Sequence, residues 1–334
     1  RNDWLLELGK RRDWANFALE YPRFRMNDDR EVSCYALMLD QQAGKDVHDE
    51  ALATWLAQRD ADDGCALMAA TLVDAKKFSN ADLWRKVRFA IDAGRPKAAR
   101  QAAVLIGTWP ATSVAELSDS PMRYLAKSAS ASTRPGAELA ALALMRLASS
   151  DPDAAAQQLN DRWDRALPPD LAAWAWASVG KQAALKLLPD AIEHFQRAAI
   201  RASREGAEPD WPDDTLAWKV RAALRADGGR GRWQQVMQGI NAMGAEQQRD
   251  PAWVYWKARA LAALAGNSQD TEGMRELSRE LLNSIAGRMH FYGKLAAEDL
   301  GLGIVMPPKP APLTAEEMEA ARSHPGLGRA LQLI

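Results

Sequence analysis

Chemistry at a protein site needs a nucleophile, a titratable acid or base, a metal-ligand set or a phosphate cradle, and this sequence offers thin material for each. The four histidines (His48, His194, His290, His324) are scattered with no partner at ligand spacing, so each reads as a surface or packing residue rather than a base. The Gly-Lys pairs that begin at Gly9, Gly44, Gly180 and Gly293 lack the glycine five residues earlier that a phosphate loop requires. No Gly-x-Ser-x-Gly elbow and no His-Glu-x-x-His zinc helix occurs. Gly228-Gly229-Arg230-Gly231-Arg232-Trp233 follows no strand and lacks the last glycine of a dinucleotide fingerprint, so it reads as a turn. With 44 acidic residues spread over the chain, any chosen carboxylate dyad is arbitrary. Cys34 and Cys65 permit one disulfide or two buried thiols, but not a zinc site, which takes four clustered ligands. No metal and no cofactor is expected.

Two features stand above this background. Arg85, Lys86, Arg88, Arg95, Lys97 and Arg100 form a basic stretch opposed locally only by Asp92, and Arg221, Arg225, Arg230 and Arg232 sit in a corresponding later segment. Of these, Arg85, Arg88, Arg95, Arg221, Arg225 and Arg232 are the candidates for contacting an anion on a concave face; the competing reading is an ordinary solvated face. The second feature is 13 tryptophans against 5 tyrosines and 6 phenylalanines. Trp84, Trp218 and Trp256 fall on apolar stripes and read as core.

The elements that carry these residues must be helical. Alanine supplies 64 of 334 residues, while Val, Ile and Thr together supply 27, too few for a sheet protein. A composition that is 47% hydrophobic and 26% charged is that of a folded chain. The 43 basic residues balance the acids, which argues against a nucleic-acid binder. No apolar run approaches the roughly 18 residues of a membrane span. The chain opens on Arg1 without a basic-then-apolar leader, so any signal peptide is expected to be absent or already removed.

Proline and glycine cut the chain into pieces of helical length, giving an expectation of roughly 16–20 short helices. Asp151-Pro152 and Asp250-Pro251 each place a capping acid before a proline at the first helical position. Trp84, Val87 and Ile91 make one stripe, Ala99, Ala102, Ala103 and Ile106 another, and Trp253, Trp256, Ala260 and Ala263 a third. A tryptophan precedes a glycine by ten residues at Trp84–Gly94, Trp218–Gly228 and Trp256–Gly266, and Cys34–Gly44 keeps the same interval. A glycine closing each helix in the left-handed conformation lets the chain reverse. This irregular repeat predicts stacked helical hairpins, an all-α solenoid.

Asp250-Pro251-Ala252-Trp253-Val254-Tyr255-Trp256-Lys257-Ala258-Arg259-Ala260-Leu261, followed about thirty residues later by Phe291-Tyr292-Gly293-Lys294-Leu295-Ala296-Ala297-Glu298-Asp299-Leu300-Gly301, resembles the non-catalytic superhelical region of the soluble lytic murein transglycosylases. The stretch from Leu83 to Arg100 and the placement of Cys34 and Cys65 resemble that family's N-terminal helices. The resemblance implies a right-handed, U- or ring-shaped superhelix over residues 1–305. Residues 306–334, with Pro307, Pro308, Pro310 and Pro312 and a capping box at Thr314-Ala315-Glu316-Glu317, would be a connector and the start of a linker domain.

By the same resemblance the parent enzyme is periplasmic and cleaves between N-acetylmuramic acid and N-acetylglucosamine, leaving 1,6-anhydro ends. Its compartment implies a Cys34–Cys65 disulfide. Its catalytic glutamate lies in a Glu-Ser pair, and this chain holds none, so no catalytic residue carries over. The expected role is a scaffold that positions glycan strands for a catalytic domain outside these residues and is inactive alone. Glu298, the most family-like acid, belongs to the superhelical motif. The alternatives are a free-standing, TPR-like periplasmic module that binds proteins, and an enzyme with an unrecognised site.

Overall fold

A chain so rich in alanine and poor in β-branched residues is biased to helix at nearly every position. The computed structural model is all-α across the described residues, 2–24, 29–58, 60–203, 210–266, 271–303 and 309–332, with no strand among them. Helix starts are chemically marked. The Asp151 carboxylate accepts from the Ala154 N–H at 2.9 Å to open Pro152–Gln158, and Asp250 accepts from Ala252 at 2.8 Å to open Pro251–Ala265. Thr314 and Glu317 form the expected reciprocal box at the head of Ala315–Ser323.

Helix ends follow the glycine spacing with one exception. Gly44, Gly94 and Gly228 take φ of +85°, +69° and +69°, where a side chain would be strained. Gly266 has φ −63°: it continues the right-handed path as the last cap of its helix and does not make a left-handed reversal. The helices are also more numerous than expected, because one-turn pieces such as Asp164–Ala166 and Ala245–Gln248 sit between the longer ones.

Each longer helix packs on a chain neighbour: Asn80–Asp92 on Pro96–Ile106, Pro169–Leu185 on Ala191–Ser203, Asp213–Gly229 on Trp233–Asn241, and Pro251–Ala265 on Thr271–Ala286. Pairs then stack on pairs, Pro169–Leu185 on Asp213–Gly229 and Trp233–Asn241 on Pro251–Ala265. Arg134–Ser150 and Pro169–Leu185 are apolar nearly all round and buried, as central helices must be. Trp84, Val87 and Ile91 point into the core as the stripe predicts. The third stripe departs from expectation. Trp253 and Ala260 face the main core, but Ala263 is exposed, and Tyr255 and Ala258 face a second cluster with Leu282, Ile285 and Ala296. Pro251–Ala265 is sandwiched between two cores, so its buried surface is two stripes rather than one.

Two kinds of long-range tie hold the stack. Cys34 on Arg30–Gln42 and Cys65 on Asp63–Asp74 form a disulfide with Cα atoms 4.8 Å apart, both residues fully buried. Closing a 31-residue interval stabilises by about 4 kcal/mol in the chain-entropy treatment. Buried ion pairs are the second kind, added to the apolar core that runs through the stack. Arg88 donates to Glu138 at 2.7 Å, and Asp92 accepts from Lys181 at 2.7 Å and from Thr215 at 2.9 Å.

Of the connector, Pro310 and Pro312 are exposed ahead of Ala315–Ser323, which is followed by one more short helix, Pro325–Leu331. Pro307, Pro308 and the boundary at residues 305 and 306 lie outside the described residues. Among the described residues no helix is long and apolar enough to cross a membrane.

Candidate binding site

The helix Asp213–Gly229 presents Trp218, Arg221 and Arg225 at i, i+3 and i+7, a single stripe. Its helical path breaks after Arg225, where Ala226 turns extended and Asp227 and Gly228 take φ of +56° and +69°. This reversal leaves the end of the stripe open, and a cavity of about 690 Å³ lies against it. The turn Leu187-Leu188-Pro189 and Ile192 supply an apolar wall, while Trp256 from Pro251–Ala265 and Tyr292 from Phe291–Asp299 supply aromatic ones.

The aromatic rings are held from behind. Tyr292 lies 5.6 Å from the Tyr255 ring, and Tyr255 lies 5.3 Å edge-on from Trp256. The Tyr255 hydroxyl accepts from Arg259 at 3.0 Å, and Arg259 pairs with Asp299 at 3.1 Å. Burial pushes the Tyr255 hydroxyl above its ordinary range, so it stays protonated. The Gly293 N–H, at the start of the same helix, donates to His290 Nδ1 at 2.9 Å. A Cβ on Gly293 would lie 2.2 Å from the Arg288 carbonyl oxygen, which explains the glycine after Phe291-Tyr292.

The six candidate arginines divide sharply. Arg85 pairs with Asp210 at 3.2 Å, Arg88 with Glu138, and Arg95 with Asp60 at 3.1 Å. Arg232 bridges Asp227 and Glu193 at 3.1 and 3.0 Å and holds the Asp227 carboxyl below its usual range. These four are held by carboxylates. Arg221 and Arg225 are exposed and line the cavity, and the Arg221 guanidinium lies 4.7 Å from the Trp218 ring and 5.3 Å from that of Trp253.

Trp84 is buried as expected; Trp218 and Trp256 are half-buried, packing on the core as expected while also lining the cavity. Sequence reasoning missed Tyr292 and the Leu187–Ile192 wall. The tryptophan-to-glycine interval marked Trp218 and Trp256 as equivalent positions, and that was the one signal available. The histidines serve structure: His290 and His324 cap helices, and His194, its imidazole pushed down by burial, stacks on Trp176 at 5.5 Å. Glu298 is exposed.

Such a cavity can hold a flat, partly apolar molecule against its rings while the two guanidiniums donate to anionic or hydroxyl oxygens. No family model and no curated protein matches the chain. Among solved structures, an inactive mutant of the lytic transglycosylase Slt from Pseudomonas aeruginosa matches at 22% identity and a TM-score of 0.56, over 99% of this chain and 51% of that one. A 70-kDa soluble lytic transglycosylase in complex with bulgecin A aligns at 18% identity and a TM-score of 0.44, over the same shares. The chain spans about half the length of each. It therefore has the fold of about half of the Pseudomonas lytic transglycosylase Slt, an all-α array of packed helices.

Proposed function

We propose that this chain is the non-catalytic, superhelical region of a periplasmic lytic transglycosylase, and that it holds peptidoglycan glycan strands for a catalytic domain elsewhere in the same protein. Residues 1–305 form the right-handed, U- or ring-shaped superhelix, and residues 306–334 the connector and the start of a linker domain. The observation that carries the reading is the cavity lined by Trp218, Trp256 and Tyr292 with Arg221 and Arg225 on its wall. A pyranose packs its C–H face on an aromatic ring and removes apolar area from water, and the lactyl and peptide carboxylates of the polymer suit the two guanidiniums. The disulfide supports an oxidising compartment.

Cleaving a glycosidic bond needs a carboxylic acid of raised pKa at the scissile oxygen. In this chain the buried Glu138 is held as the partner of Arg88 and Arg134 and serves packing. Chromatography of the soluble fraction after long incubation with purified sacculi tests the reading. The expected result is no anhydro-muropeptide above a heat-killed control. Anhydro products released by this chain would contradict a scaffold role.

A further inference from the structure

A second, smaller recess opens beyond the glycan-site candidate, between Ala191–Ser203, Asp213–Gly229 and Trp233–Asn241, and encloses about 240 Å³. Its one charged lining residue is Lys219, which is only 7% exposed. Among the described residues no carboxylate and no hydrogen-bond acceptor pairs with its ammonium, and the Trp211 ring lies 5.7 Å from Nζ. Burial without a compensating acid pushes this ammonium below its ordinary range. Every other buried cation among the described residues has an oxygen partner: Arg88 has Glu138, Lys181 has Asp92, and Lys86 has the Trp55 carbonyl. Lys219 is the exception, and it lines an open recess.

The other walls define what the ammonium lacks. Gln196, Gln235 and Gln238 line it with amide groups. Phe195 and Ile200 form an apolar side. A buried cation calls for an anion, amide oxygens accept an N–H, and the apolar side suits a short hydrocarbon group. We propose that this recess binds a small α-amino-acid-like carboxylate, its carboxylate on Lys219, its N–H on the lining glutamine amides and its side chain against Phe195 and Ile200. The volume suits such a molecule, since one water occupies about 30 Å³ of liquid. Inorganic phosphate fits less well: it would meet one cation, no arginine fork, and a hydrocarbon wall.

Titration calorimetry on the whole chain with valine, valinamide and isovalerate as probes tests the proposal independently of any glycan binding. Valine of one enantiomer is expected to bind saturably. Valinamide, lacking the carboxylate, should bind weaker by roughly tenfold or more, and isovalerate, lacking the N–H, by roughly threefold or more. Lys219→Met should lose valine by roughly tenfold or more. The valinamide comparison uses unaltered protein, so it decides the matter even if the variant folds poorly. Equal affinity for valine and valinamide, unchanged valine affinity in Lys219→Met, or no saturable valine binding up to about 50 mM would each overturn it.

Discussion

Lys181 Nζ donates to Asp92 Oδ2 at 2.7 Å, joining helices 89 residues apart in sequence, and both side chains are almost wholly buried. The carboxylate also accepts from Thr215, and Asp214 approaches the same ammonium at 2.7 Å, so three helical layers meet at one charge cluster. Burial alone would lower the Lys181 pKa; Asp92 and Asp214 outweigh it and raise it. A raised pKa means the pair's stabilisation is fully present below the unfolded value of 10.5 and is lost only as pH rises through the folded value. Asp92→Ala leaves the ammonium with Asp214 and the backbone carbonyl of residue 92 at 3.4 Å, and is expected to cost about 3–5 kcal/mol in urea unfolding at neutral pH. Adding Lys181→Met should recover part of that loss. A cost below about 1 kcal/mol would show the cluster to be ornamental to the stack.

Lys86 presents the opposite case. Burial pushes it down to about 8, with the charge of Asp62 opposing the shift and that of Arg30 adding to it. Below that pH the folded and unfolded chains both carry the charge, and the full burial cost applies. Between about 8 and 10.5 the folded protein sheds its proton first, so the cost shrinks as pH rises. Lys86→Met removes that cost together with the bond to the Trp55 carbonyl, and should stabilise at neutral pH by on the order of 1 kcal/mol. The Trp55 carbonyl keeps the Gln58 N–H at 3.2 Å, so nothing is orphaned by the change. The gap between variant and parent should narrow by pH 10; a gap independent of pH would refute the assignment.

Much of this architecture can be read from residue types. Capping acids before prolines, left-handed glycines at Gly44, Gly94 and Gly228, and the stripe Trp84-Val87-Ile91 are local signals, and local physics decides them. Whether an aromatic on an apolar stripe faces a neighbouring helix or a void depends on how hairpins stack. That is why Trp218 and Trp256 read as core and pack on it, yet also line a cavity. The same limit applied to charge. Asp210 and Glu138 lie far along the chain from Arg85 and Arg88, so their pairing was invisible to a local tally of acids and bases.

Gly293→Ala tests the aromatic wall's support. Its methyl would meet the Arg288 and Ile285 carbonyl oxygens at 2.2 and 2.8 Å, and backbone cannot yield as a flexible side chain does. A loss of about 2–4 kcal/mol is expected by thermal unfolding, together with a changed near-ultraviolet signal from Tyr292 and Trp256. An unaltered melting curve would mean that the start of Phe291–Asp299 is free to shift.

Co-sedimentation of the chain with purified sacculi, comparing the parent with Arg225→Glu and Trp256→Ala, addresses the central claim most directly. Arg225 is exposed and Trp256 half-buried, so the folded state of each variant can be checked by its melting curve. The account predicts that the parent pellets with the sacculi and that each variant binds weaker by roughly tenfold. A parent that stays in the supernatant, or variants that pellet as fully as the parent, would contradict a glycan-holding role for the cavity.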